Sequence, residues 1–173
     1  MGNHRSIVAG ALAGYVASRT MDAVTTVFHG RQSEASRRRE QELAPGGALV
    51  QLGTQLGAAA GRELDPAAAG RVGVAVHRTL GVTYGVIAAG LVERGWRPVP
   101  AGLAVGAMAF LVVDEGTALP MATSYPLVSH LRGVVGHATV GGTIGVLLAL
   151  TAPDGLSRRP GATGRRRGTP AAR

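Results

Sequence analysis

Gly133–Ala149 reads GVVGHATVGGTIGVLLA, a run of small and apolar residues with one histidine set into it. Gly73–Ala89, GVAVHRTLGVTYGVIAA, aligns with it without a gap. Glycine and alanine matches carry little information in a chain with 27 glycines, but His77 with His137, Thr79 with Thr139 and Thr83 with Thr143 coincide as well. A weaker gap-free match sets Ala9, Gly10, Gly14, Ala17 and Asp22 on Ala101, Gly102, Gly106, Ala109 and Asp114, and the paired aspartates give it weight. The order of the four stretches predicts a tandem duplication of a two-helix hairpin.

Composition says what surrounds those helices. Apolar residues make up 46% of the 173 and aromatics only 3%, with a mean hydropathy of +0.19, so the apolar content is large but the bulky side chains that fill a soluble core are scarce. Four apolar windows approach the roughly 20 residues that cross a hydrocarbon core of about 30 Å. Gly, Ala and Val as filler suit close helix contact in lipid, and GxxxG pairs recur at Gly10 and Gly14, Gly81 and Gly85, Gly102 and Gly106, and Gly141 and Gly145. The expected fold is therefore an all-α transmembrane four-helix bundle of two repeated hairpins, in a membrane domain 1–152 with spans near 6–28, 71–94, 101–119 and 131–151. The first-span stretch also fits the start of a signal peptide, but its apolar run continues past Ser18 to Val27.

The first loop is longer than the others. Its RQSEASRRREQELA segment reads as a solvated or surface-lying helix with Glu34 and Arg38 at pairing distance, and Pro45, Gly46 and Gly47 break it. The uncharged run to Gly61 is too short to span and reads as an interfacial or re-entrant helix. Asp65 followed by Pro66 is a helix start, and Gly95–Trp96–Arg97 is an interfacial stop. MATSYPLVSH, with Tyr125 and Pro126, reads as a loop ending at His130, just before the last span. Residues 153–173 hold Pro, Gly and Arg without periodicity and are expected to be disordered. Their natural partner is the anionic headgroups of a lipid bilayer, not nucleic acid, since no aromatics are interleaved with the arginines.

No cysteine is present, so disulfides and thiolate chemistry are excluded. All 18 basic residues are arginine, the mark of a GC-rich bacterial genome. Arg5, Arg94, Arg97 and the six tail arginines outnumber Arg31, Arg37, Arg38, Arg39 and Arg62 on the opposite side, with Arg71 and Arg132 at helix starts there. This bias puts both termini in the cytoplasm of a multi-pass inner-membrane protein.

At 1.5 Å rise per residue, Asp22 and Asp114 lie about 8 Å from the ends of their helices, and His77 and His137 about 8 Å into theirs. Alternating helix direction brings all four to one level, with Arg19, Arg78 and Glu115 within about one turn and His130 at the edge. Arg19, three residues before Asp22, is placed to pair with it. One Asp and one His per repeat, facing the axis, is a candidate proton, ion or small-solute site, and the same Asp22, His77, Asp114 and His137 set could hold a divalent metal. Alternatively, His77 and His137 could be axial ligands of one haem in an electron carrier, or the polar residues could serve only as packing contacts in a membrane scaffold that can form a homo-oligomer. No nucleophile spacing points to an enzyme, and the cofactor is unknown.

The chain also resembles the YagU-like family of bacterial inner-membrane proteins. The features that carry this are His77 followed by GVTYG at Gly81–Gly85, the acidic pair Asp114 and Glu115 ahead of Leu119 and Pro120, and GHATVGGTIG from Gly136. The resemblance spans most of 7–150 and implies four spans and an inner-membrane location, with no activity to carry over. It does not extend to the Gly30–Ala44 segment or the arginine-rich tail.

Overall fold

A computed structural model describes residues 2–114 and 126–151, with the backbone alone for residues 2, 3 and 114. The described chain is all-helical. Helix α1 covers Gly2–Gly30, α2 Glu34–Leu43, α3 Ala48–Ala59, α4 Pro66–Glu93, α5 Pro98–Ala109 and α6 Leu127–Thr151, and a π-helical turn, Phe110–Asp114, continues α5.

Local chemistry sets the boundaries. Asp65 caps α4 by accepting from the Ala68 N–H at 2.8 Å, with Pro66 in the first turn, where its missing N–H costs nothing. Ser33 caps α2 the same way. Gly95, at φ +94°, takes the left-handed turn that ends α4, and the Gly95 and Trp96 amides close it on Val92 O and Leu91 O. Gly46 and Gly47 have positive φ as well and break α2 from α3. Helix α6 begins at Leu127, a turn earlier than its apolar pattern suggests, and so takes in Ser129, His130 and Arg132, which the sequence reading left in a loop or at the helix start.

The long helices touch in the order α1–α4–α5–α6 and back to α1, with α3 laid on α4. Where they touch, side chains are missing. A methyl group built on Gly10 would lie 2.6 Å from the Gly85 carbonyl oxygen, and one on Gly14 would meet the Gly81 carbonyl. In the other pair, a methyl on Gly102 would lie 2.7 Å from the Gly145 nitrogen, and one on Gly141 2.6 Å from the Gly102 oxygen. Helix α3 joins by the same device, with Gly53 against the Ala69 backbone and Gly73 against Leu49. Only glycine permits this approach, which lets dispersion forces act between backbones.

The interior is built mainly of small residues, and many large apolar residues face outward. The interior is Ala13, Ala17, Ala88, Ala89, Val105, Val140, Ile144 and Leu148, and the largest fully buried side chains are Ile144 and Ser18. The outward faces carry the bulky aliphatics, among them Leu12 at 62% exposure, Leu111 at 61% and Leu150 at 77%. Helices α4 and α6 are long and apolar enough to cross a membrane. Asp22, Arg19 and the polar ends dilute α1, and α5 is short, so neither reaches that standard of length and composition.

Candidate functional site: an Asp–His–Arg cavity between the helices

The stripe Gly10, Gly14, Ser18, Asp22 repeats every fourth residue and therefore lies on one face of α1. Its glycines seat α4 closely enough for the last two members to meet polar groups. Arg78 Nη1 donates to Ser18 Oγ at 3.0 Å and Arg78 Nη2 to Asp22 Oδ2, while the Ser18 hydroxyl donates to the Tyr15 carbonyl at 2.8 Å. His77 Nε2 lies 3.2 Å from Asp22 Oδ1. The ion-pair partners of Asp22 thus come from α4. Arg19, expected to pair with it along α1, is exposed instead, because an arginine three residues N-terminal to an acid is oriented poorly for an intrahelical pair.

His137 enters from α6. Its Nδ1 lies 3.0 Å from the Gly133 carbonyl, and its ring meets Phe110 edge-on with centroids 5.8 Å apart. Asp22, His77 and His137 line one cavity of about 270 Å³, closed by Leu49 and Leu52 of α3, Leu80 and Tyr84 of α4, and Val113 of the π turn. Three of the four residues assigned to a common level therefore share one space. The fourth, Asp114, ends the π turn; its side chain, with Glu115 and the tail, lies outside the described residues. Arg78 stands behind Asp22 rather than in the cavity wall, and His130 is half-buried one turn before Gly133.

Among the described residues no three His, Asp or Glu side chains converge to hold a metal ion, so a metal reading of this set depends on Asp114. As a haem ligand through Nε2, His77 would have to leave the Asp22 carboxylate against which it sits.

A second polar cluster, which the sequence did not reveal, adjoins the cavity. Glu40 of α2, read as part of a solvated helix, is only 8% exposed. Its Oε1 accepts from Gln32 Nε2 at 2.9 Å, Ser129 Oγ at 2.5 Å and Arg132 Nη1 at 3.1 Å, and Oε2 accepts from the same Nη1 at 2.9 Å. His29 Nδ1 lies 2.7 Å from Gln32 Oε1 and 2.8 Å from Arg132 Nη1. Burial pushes the Glu40 carboxyl upward, but the hydrogen bonds from Ser129, Arg132 and Gln32 and the Arg132 charge outweigh it and hold the group below its ordinary value. The exposed pairs Arg38–Glu34 and Arg39–Glu42 on the other face of α2 do behave as a solvated surface. Ser129 and Arg132 also line the cavity, so the cluster pins the first-loop insert to its rim. The available signal was an arginine inside a helix, which needs a counter-charge from elsewhere in the chain.

No protein-family model, curated protein or solved structure matches the chain.

Proposed function

We propose that the chain is a four-span inner-membrane protein of two repeated hairpins, α1 with α4 and α5 with α6, that handles a proton, ion or small solute in the Asp22–His77–His137 cavity. The observation that carries this reading is the convergence of those three ionisable side chains, from three helices, on one cavity inside a bundle that turns its bulky aliphatic residues outward. Ionisable groups are costly in lipid and mark transport paths when they face an internal space. The outward aliphatics support lipid as the solvent, and the equivalent glycine contacts of the two helix pairs support the duplication. The motif likeness to the YagU-like family points to the same location.

Reconstitution into liposomes tests the function. Asp22→Asn, His77→Gln and His137→Gln, taken singly, should each reduce proton or solute flux by at least about tenfold, the scale of one lost charge-assisted contact. Unchanged flux in all three would sink the proposal. A second reading is favoured by one feature, the closed Asp22–Arg78 pair, which leaves the carboxylate already neutralised. On that reading the chain is a membrane scaffold whose polar layer fixes helix register, and Asp22→Asn lowers stability while flux stays the same.

A further inference from the structure

Among the described residues, Arg132 has one edge committed and one edge uncommitted. Every contact it makes to Glu40, Gln32 and His29 runs through Nη1, while Nε and Nη2 take no part in that cluster. Yet the side chain lines the cavity and is largely buried, at 22% exposure. A guanidinium presents five N–H donors in a rigid fork, and its Nε–Nη2 edge matches the two oxygens of a carboxylate. Glu40, held in turn by Ser129 and Gln32, fixes the orientation of that fork. The wall around it supplies Ser18 and Thr25 hydroxyls and the apolar Leu49, Leu52 and Leu80.

From this geometry we infer that the cavity binds a small organic monocarboxylate, its two oxygens on the Nε–Nη2 edge of Arg132 and its apolar body among the leucines of α3 and α4. The inference deepens the proposed function by naming the solute class, and it rests on that reading for the claim that the cavity is a site of passage. Asp22 is already paired with Arg78 and His77, so it does not neutralise Arg132. Glu40 balances the charge of Arg132 without occupying its second edge, which leaves a site that recognises shape and donor pattern as well as charge.

The test is calorimetric titration of the detergent-purified full chain with benzoate, its neutral isostere benzamide, and inorganic phosphate. Benzoate should bind and benzamide should bind at least tenfold more weakly. Arg132→Lys keeps a cation for Glu40 but has no second edge, and it should lose benzoate affinity by tenfold or more while retaining the wild-type melting temperature within a few degrees. Should Arg132→Lys fail to fold, the Glu40→Gln/Arg132→Gln double variant removes both charges together and should show the same loss. Equal binding of benzoate and benzamide, full benzoate affinity in a folded Arg132 variant, or binding of phosphate alone would each overturn the assignment. The two levels separate cleanly: flux that depends on Asp22 and His77 without benzoate binding defeats this inference alone, and benzoate binding without flux defeats the transport reading alone.

Discussion

The α1/α4 and α5/α6 pairs use the same glycine seam and then diverge one turn beyond it. Gly10 and Gly14 face Gly85 and Gly81 as Gly102 and Gly106 face the Gly145, Gly141 and His137 backbone. At the next position, however, Ser18 aligns with Phe110, and Arg78 aligns with Ala138. In the first pair, Arg78, which also donates to Ser18, holds Asp22 in an ion pair. In the second, the Phe110 ring meets His137 edge-on, and Ala138 stands at the position aligned with Arg78. Helix α1 then continues unbroken to Gly30, whereas α5 passes into a π turn that ends at Asp114. π turns put one extra residue into the helix and are frequent where a side chain must be re-aimed. Backbone approach is alike in both pairs, while the described polar contacts differ: Asp22 meets Arg78 and His77 in the first, and His137 meets Phe110 in the second.

The largest expected effects break what the pairs share. Gly14→Leu and Gly106→Leu should each cost at least about 3 kcal/mol, because the new side chain meets backbone that cannot move aside, and both should abolish a monodisperse elution peak in detergent. Gly142→Ala, with nothing within 4 Å of the added methyl, is the control; it should be neutral or stabilise by up to about 1 kcal/mol through helix propensity.

A somewhat smaller effect belongs to the insert, which only the first pair carries. Glu40→Ala leaves Arg132 buried without its counter-ion and should cost about 3 kcal/mol in detergent unfolding. Because the folded-state Glu40 titrates below its ordinary value, it stabilises the fold fully above that ordinary value, about 4.3, and the contribution disappears as pH falls through the lower folded value. Melting temperature measured from pH 6 downward should therefore drop more steeply below about pH 4.3 in the native chain than in Glu40→Gln. Parallel curves would remove Glu40 from the account.

The smallest effects should tell the two polar layers apart. Asp22→Asn, at a carboxylate 41% exposed whose amide replacement still accepts from Arg78, should cost about 1 kcal/mol or less in stability. Phe110→Leu should cost about 0.5 kcal/mol, and it should make His137 more reactive to diethyl pyrocarbonate. Equal reactivity would mean that the Phe110 ring does not shield the second pair.

What the sequence revealed, and what it hid, follows from range. The Gly10–Gly14–Ser18–Asp22 face is legible because a period of four residues is a local property of a helix, and the level of His77 and His137 is legible because rise per residue is fixed. The Asp65–Pro66 start of α4 and the positive-φ stop at Gly95 are likewise local. The choice of Arg78 over Arg19 as partner of Asp22 depends on which helix the glycine seam brings close, and that is set by tertiary contact. Nothing local marks Glu40: it lies in the same polar helix as the exposed Glu34 and Glu42, and only the return of α6, 89 residues later, buries it against Ser129. The π turn leaves no periodic trace, because its first four residues, FLVV, are uniformly apolar.

The proposed function requires that the helices cross a membrane with both termini on the cytoplasmic side. Since the chain has no cysteine, single cysteines introduced at Glu63 and Arg94, exposed positions at opposite ends of α4, report its orientation without background. A membrane-impermeant maleimide should label Glu63→Cys in intact cells and Arg94→Cys only after permeabilisation. Equal labelling of both before permeabilisation, or recovery of the protein in the soluble fraction, would contradict the account.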